Sequence, residues 1–142
     1  ADGILPNCPL VTAEGLVGIT VEVSEHVSTV RTILSPDLSI AAVCSSSNAD
    51  SGIIEGGVAA AEDGMTQLIH VSPSHKLKIG DLMITSGNSG MFPKDYPIGT
   101  VESIGYDSNG LSVTATIKPG ADITRLTSVI VITDFSGKRE DG

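Results

Sequence analysis

Residues 98–118 read IGTVESIGYDSNGLSVTATIK. Two β-branched runs, Ile98 to Tyr106 and Leu111 to Lys118, flank Asp107-Ser108-Asn109-Gly110. Asn-Gly readily takes positive φ, so the stretch predicts a β-hairpin. In the second run Leu111, Val113, Ala115 and Ile117 alternate with Ser112, Thr114, Thr116 and Lys118. A period of two puts one face of that strand in a core and the other in water.

The rest of the chain repeats this texture. Thirteen Val, fifteen Ile and twelve Thr stand among 142 residues, and stiff χ1 angles suit such side chains to a pleated sheet. Aromatics are only 3%, so aliphatic residues must build the core. Strands are expected at Leu10 to Thr12, Leu16 to Val23, Val27 to Leu34, Leu38 to Cys44 and Gly52 to Glu55. Further strands are expected at Leu68 to Val71, Asp81 to Thr85 and Val129 to Ile132. Ala13-Glu14-Gly15 signals a tight turn, and Gly18 inside a strand marks a bulge or a close crossing. Residues 56–66 hold Gly-Gly, three alanines and Glu-Asp-Gly; they read as a connection and as the domain boundary. Many short strands with Gly and Pro turns, and no long amphipathic helix, predict small barrels or a sandwich.

Seventeen acidic and eight basic residues give a formal charge of −9. That balance argues against nucleic acid and against an anionic membrane surface as partners. No stretch of about 18 apolar residues is present, so no transmembrane helix is expected in these residues. The opening Ala1-Asp2-Gly3, without Met, is expected of a processed or trimmed piece. Cys8 and Cys44 could pair if the fold brought them together. Cys44 ends an apolar run and reads as a small buried hydrophobe. No Cys-x-x-Cys or His pair at ligand spacing supports a metal site, and no cofactor motif is found.

The loop Gly87-Asn88-Ser89-Gly90 has the local look of a serine nucleophile. His70 or His75 would be the base and Asp81 the orienting group. All of them fall within twenty residues, whereas such a triad normally meets across two barrels. Asp81 follows Gly80 at a strand entrance, where a carboxylate often completes a turn. A hydrolase using Ser89 is therefore the alternative reading, and small residues in a tight connection the simpler one.

The stretch Lys78-Ile79-Gly80-Asp81-Leu82-Met83-Ile84-Thr85-Ser86-Gly87, with Met91-Phe92-Pro93-Lys94 and Pro97-Ile98-Gly99-Thr100-Val101, resembles the extracytoplasmic part of the MreC family. Glu14-Gly15-Leu16-Val17-Gly18, Gly52-Ile53-Ile54-Glu55-Gly56 and Ile117-Lys118-Pro119-Gly120-Ala121-Asp122 agree in order and spacing. This resemblance implies an all-β fold of two small β-barrels in tandem, the second with chymotrypsin-like topology. The expected division is 1–58 for the first barrel, 59–135 for the second and 136–142 for a disordered tail. Strands preceding Gly3 in the family are absent here, which leaves open a truncated first barrel to which the last strand returns. The family usually has Gly where this chain has Asp95, so Asp95 is expected to carry a left-handed turn.

By the same resemblance the chain is no enzyme, and no catalytic, cofactor or metal residue is assigned. It implies a scaffold of the bacterial cell-wall elongation machinery that maintains rod shape. Implied partners are MreB, MreD, a penicillin-binding transpeptidase and further copies of the protein. The place implied is outside the cytoplasmic membrane, anchored by an N-terminal helix not in this chain. Phe92, Pro93 and Tyr96, large apolar side chains in a loop, are candidate contacts. The competing reading is that Phe92 plugs a barrel end and Tyr96 packs over it.

Overall fold

The computed structural model describes residues 8–23, 28–87, 92–106, 111, 113–121, 123 and 130–131. Within them the order is β1 (Pro9–Thr12), β2 (Gly15–Val23), β3 (Ser28–Thr32), β4 (Ser39–Cys44), β5 (Ser47–Glu55), α1 (Val58–Glu62), β6 (Thr66–Val71), β7 (Leu82–Thr85), β8 (Pro97–Tyr106), β9 (Val113–Pro119) and β10 (Ile130–Val131). None of the described helices is long and apolar enough to cross a membrane.

β10, β1, β2 and β3 form a four-stranded sheet in that order. β1 and β2 join through a tight turn in which Glu14 N–H donates to Thr12 Oγ1 at 3.2 Å. Gly18 of β2 lies so close to β3 that a Cβ there would stand 2.1 Å from the Arg31 carbonyl oxygen. The close crossing expected at Gly18 is therefore real, and it is what lets the two strands pair.

β4, β5, β6, β9, β8 and β7 close into a barrel of antiparallel strands. β7 seals it against β4 through Ala42↔Thr85, Val43↔Ile84 and Cys44↔Met83. Alternation sends Ile40, Ala42, Cys44, Ile54, Leu68, Met83, Val101, Ala115 and Ile117 inward, where all are buried. The pairing of β6 with β9 slips between Leu68 and Val71. His70 takes φ 61° at this slip, and both Leu68 and Val71 face the core while His70 faces water.

The sheet and the barrel share one core. Val11, Leu16, Ile19 and Ile33 of the sheet segment cluster with the barrel interior. Leu10 and Val17 pack against Ala121, with Ile123 alongside. The β1–β2 turn meets the segment after β9: a Cβ on Gly120 would lie 2.3 Å from the Glu14 carbonyl oxygen. Only a glycine there lets the two backbones touch.

The all-β expectation holds. Two details differ from it. The boundary expected at 58/59 falls between β5 and β6, which pair through Ile53↔Ile69 and Ile54↔Leu68. The barrel thus begins with β4, because the aliphatic runs of β4 and β5 find their partners in β6 and β7 rather than in β1 to β3. Leu111 was expected inside, but it stands 75% exposed before β9 begins. The predicted turn at 107–110 lies outside the described residues, while the strands it was expected to join do pair, from Gly99↔Pro119 to Tyr106↔Val113. The tail at 136–142 also lies outside them.

Candidate functional site

In the sequence Ser89 and the candidate contacts Phe92, Pro93 and Tyr96 follow β7, whereas His70, His75 and Asp81 precede it. Ser89 lies outside the described residues, but its proposed partners do not. His75 Nδ1 accepts a hydrogen bond from the Leu77 N–H at 3.0 Å. A base in a triad must donate its Nδ1–H to a carboxylate, and this nitrogen is used as an acceptor. Asp81 Oδ2 accepts from the Lys78 N–H at 2.8 Å, and the Asp81 N–H donates back to the Lys78 carbonyl at 3.0 Å. Its carboxylate closes a turn at the entrance of β7. His70 points to solvent from its bulge. The described residues bring no acid–base pair together for catalysis.

Cys8 and Cys44 are buried free thiols. One precedes β1 of the sheet and the other ends β4 of the barrel. No group of His, Cys, Asp and Glu suited to a metal ion occurs among the described residues.

The segment 92–96 is organised around Thr85, the last residue of β7. The Thr85 N–H donates to the Tyr96 carbonyl at 2.9 Å, and the Asp95 N–H donates to the Thr85 carbonyl at 2.9 Å. Thr85 Oγ1 donates to the Pro93 carbonyl and accepts from the Tyr96 N–H at 2.8 Å. Thr85 is fully buried, so these bonds are shielded from water and hold the segment in one shape. Asp95 takes φ 64°, the left-handed conformation expected where the family carries Gly.

Phe92 is 2% exposed and belongs to the core cluster. This corrects the candidate-contact reading for that side chain, which spends its apolar surface inside the fold. Pro93 is half-buried, and its carbonyl is taken by Thr85. Tyr96 packs against the core, and its hydroxyl donates to the Thr12 carbonyl of the β1–β2 turn at 3.0 Å. Burial pushes that hydroxyl up from its ordinary value near 10. The sequence missed this role because the partner is a backbone atom 84 residues away.

Comparison with known proteins fits this architecture. The family model described as "Rod shape-determining protein MreC, barrel core" matches residues 1–133. The cell shape-determining protein MreC of Listeria monocytogenes is 34% identical over 137 residues, which cover 93% of this chain and 45% of that protein. The chain thus spans less than half the length of that relative. A solved structure of the Listeria monocytogenes protein, 34% identical, superposes with a TM-score of 0.80 over 92% of this chain and 62% of that one. A complex between penicillin-binding protein PBP2 and MreC from Helicobacter pylori holds the same fold at 23% identity, with a TM-score of 0.62 over 78% of this chain and 65% of that one. Relatives of the chain are named for cell shape rather than for a reaction. The chain belongs to the MreC family of rod shape-determining proteins, matching its barrel core.

Proposed function

We propose that this chain is a non-catalytic scaffold of the bacterial cell-wall elongation machinery. It binds a penicillin-binding transpeptidase and the shape-determining proteins MreB and MreD, and it associates with further copies of itself. Its place is the extracytoplasmic face of the cytoplasmic membrane, with anchoring by an N-terminal helix outside these residues. The observation that carries this reading is the family match over residues 1–133. The relative in complex with PBP2 supports a synthase as partner.

The protease look of the 87–90 loop has an architectural explanation. The six barrel strands, numbered along the chain, lie in the order first, second, third, sixth, fifth, fourth. That winding supports a chymotrypsin-like reading of the barrel, without the chemistry. The occupied Nδ1 of His75 supports the same conclusion.

The test is a binding titration of this chain against the purified transpeptidase ectodomain of the elongation complex. Saturable binding is expected, with no labelling of the chain by a fluorophosphonate probe. Absence of binding, together with probe labelling that Ser89→Ala abolishes, overturns the scaffold in favour of a hydrolase.

A further inference from the structure

Residues 72–81 carry the chain from the end of β6 to the start of β7. They form no strand, so their backbone groups need other partners. Main-chain bonds fix both ends. The His75 N–H donates to the Ser72 carbonyl at 3.0 Å, and the Gly80 N–H donates to the Val101 carbonyl of β8 at 2.8 Å. Between those ends three consecutive amides turn to ionisable side chains. The Lys76 N–H donates to the Asp50 carboxylate of β5 at 3.3 Å. The Leu77 N–H donates to His75 Nδ1 at 3.0 Å, and the Lys78 N–H to Asp81 Oδ2 at 2.8 Å.

Leu77 is what this strap holds in place. It is 5% exposed and belongs to the core cluster, whereas Lys76, Lys78 and Ile79 stand in solvent. It thus closes the barrel at the end where β6 finishes and β7 begins. A buried N–H left without an acceptor is costly, so the seat of Leu77 depends on the imidazole beside it.

The three acceptors do not answer acid alike. A carboxylic acid keeps a carbonyl lone pair, but an imidazolium has a donor on both nitrogens and accepts nothing. Carboxylates as a class take up protons near about pH 4, and histidines between about pH 5 and 8. Mild acid therefore strikes the histidine contact and spares the other two. The charged groups around it are Asp50 from β5, Asp81 at the entrance of β7, Lys76 and Lys78 on the strap, and Glu102, exposed on β8 beside Val101. His70 is exposed near the end of β6. We propose that residues 75–78 form a pH-responsive strap: neutral His75 holds Leu77 in the barrel end, and protonated His75 releases it. The hold is present above the histidine range and is lost as pH falls through it, while the strand pairing of β6 and β7 keeps the barrel itself closed.

The experiment is hydrogen–deuterium exchange over residues 75–80, corrected for intrinsic exchange rates, at about pH 7.5 and about pH 5.5. Protection in the wild type should fall by about fivefold to tenfold in acid, the equivalent of one hydrogen bond. His75→Asn offers an oxygen acceptor that does not titrate, so its protection should stay high at both pH values. His75→Ala should be poorly protected at both. His70→Asn should respond as the wild type does. Circular dichroism melts establish that each variant is folded; should His75→Ala fail to fold, His75→Asn and the wild type still decide. Equal wild-type protection at the two pH values overturns the strap. A response that persists in His75→Asn, or that vanishes in His70→Asn, also overturns it. So does a response that begins only below about pH 4.5, which assigns the hold to Asp50 and Asp81.

Discussion

The Tyr96 hydroxyl donates to the Thr12 carbonyl at 3.0 Å and so ties the loop before β8 to the first hairpin of the sheet. Tyr96→Phe keeps the ring and removes the tie. A loss of about 1 kcal/mol is expected at neutral pH, measured by urea unfolding. The effect has a pH signature. Burial raises the Tyr96 hydroxyl above its unfolded value near 10, so in alkali the native state keeps a proton that the unfolded chain releases. Its contribution is present below pH 10 and is lost as pH climbs beyond it. The stability gap between wild type and Tyr96→Phe should narrow above that pH; a gap that stays constant contradicts the assignment.

Two buried threonines of the barrel should respond in opposite directions to the same change. Thr85 Oγ1 serves Pro93 and Tyr96, so Thr85→Val strands two backbone groups and should cost about 2–3 kcal/mol. Thr66 Oγ1 is buried with no hydrogen-bond partner among the described residues. Thr66→Val removes an orphaned hydroxyl at equal shape and should stabilise by up to about 1 kcal/mol. Denaturant midpoints of the two variants, compared side by side, decide the matter.

Asp95 holds a conformation that glycine adopts without strain. Asp95→Gly should be neutral or stabilising by up to about 1 kcal/mol, and Asp95→Val should destabilise by about 1–2 kcal/mol. Thermal melts of both variants give the sign.

A Cβ on Gly120 would strike the Glu14 carbonyl, whereas one on Gly105 meets open space. Gly120→Ala should therefore force the sheet from the barrel and cost about 3 kcal/mol or more, with Gly105→Ala within roughly 0.5 kcal/mol of wild type. Equal melting temperatures would contradict the joint described for the β1–β2 turn.

The buried thiols of Cys8 and Cys44 belong to the sheet segment and the barrel respectively. Reductant should leave the melting temperature unchanged, and both thiols should react with Ellman's reagent only after unfolding. A reductant-dependent shift would contradict the free state of these cysteines.

Local pattern in the sequence carried far. The alternation of Val113, Ala115 and Ile117 located β9 and its buried face, and Gly80-Asp81 marked the turn that Asp81 closes. What it could not carry was partnership. Nothing in the runs Leu38 to Cys44 and Gly52 to Glu55 says that they pair with β7 and β6, because the energy of strand pairing lies in neighbours distant along the chain. Phe92 and Tyr96 admitted two readings for a related reason. Large apolar residues in a loop look available until the loop folds back, and here Thr85 folds it back.

β10 completes a sheet begun by β1, through Leu10↔Val131 and Val11↔Ile130, with the whole barrel lying between them in the chain. The barrel is thus inserted into the sheet rather than appended to it. Loop closure favours near neighbours, so the contiguous barrel can form while the sheet still awaits its last strand. A chain emerging from its amino end would finish its first-begun unit last, and the two ends of the described chain would become neighbours only in that final step.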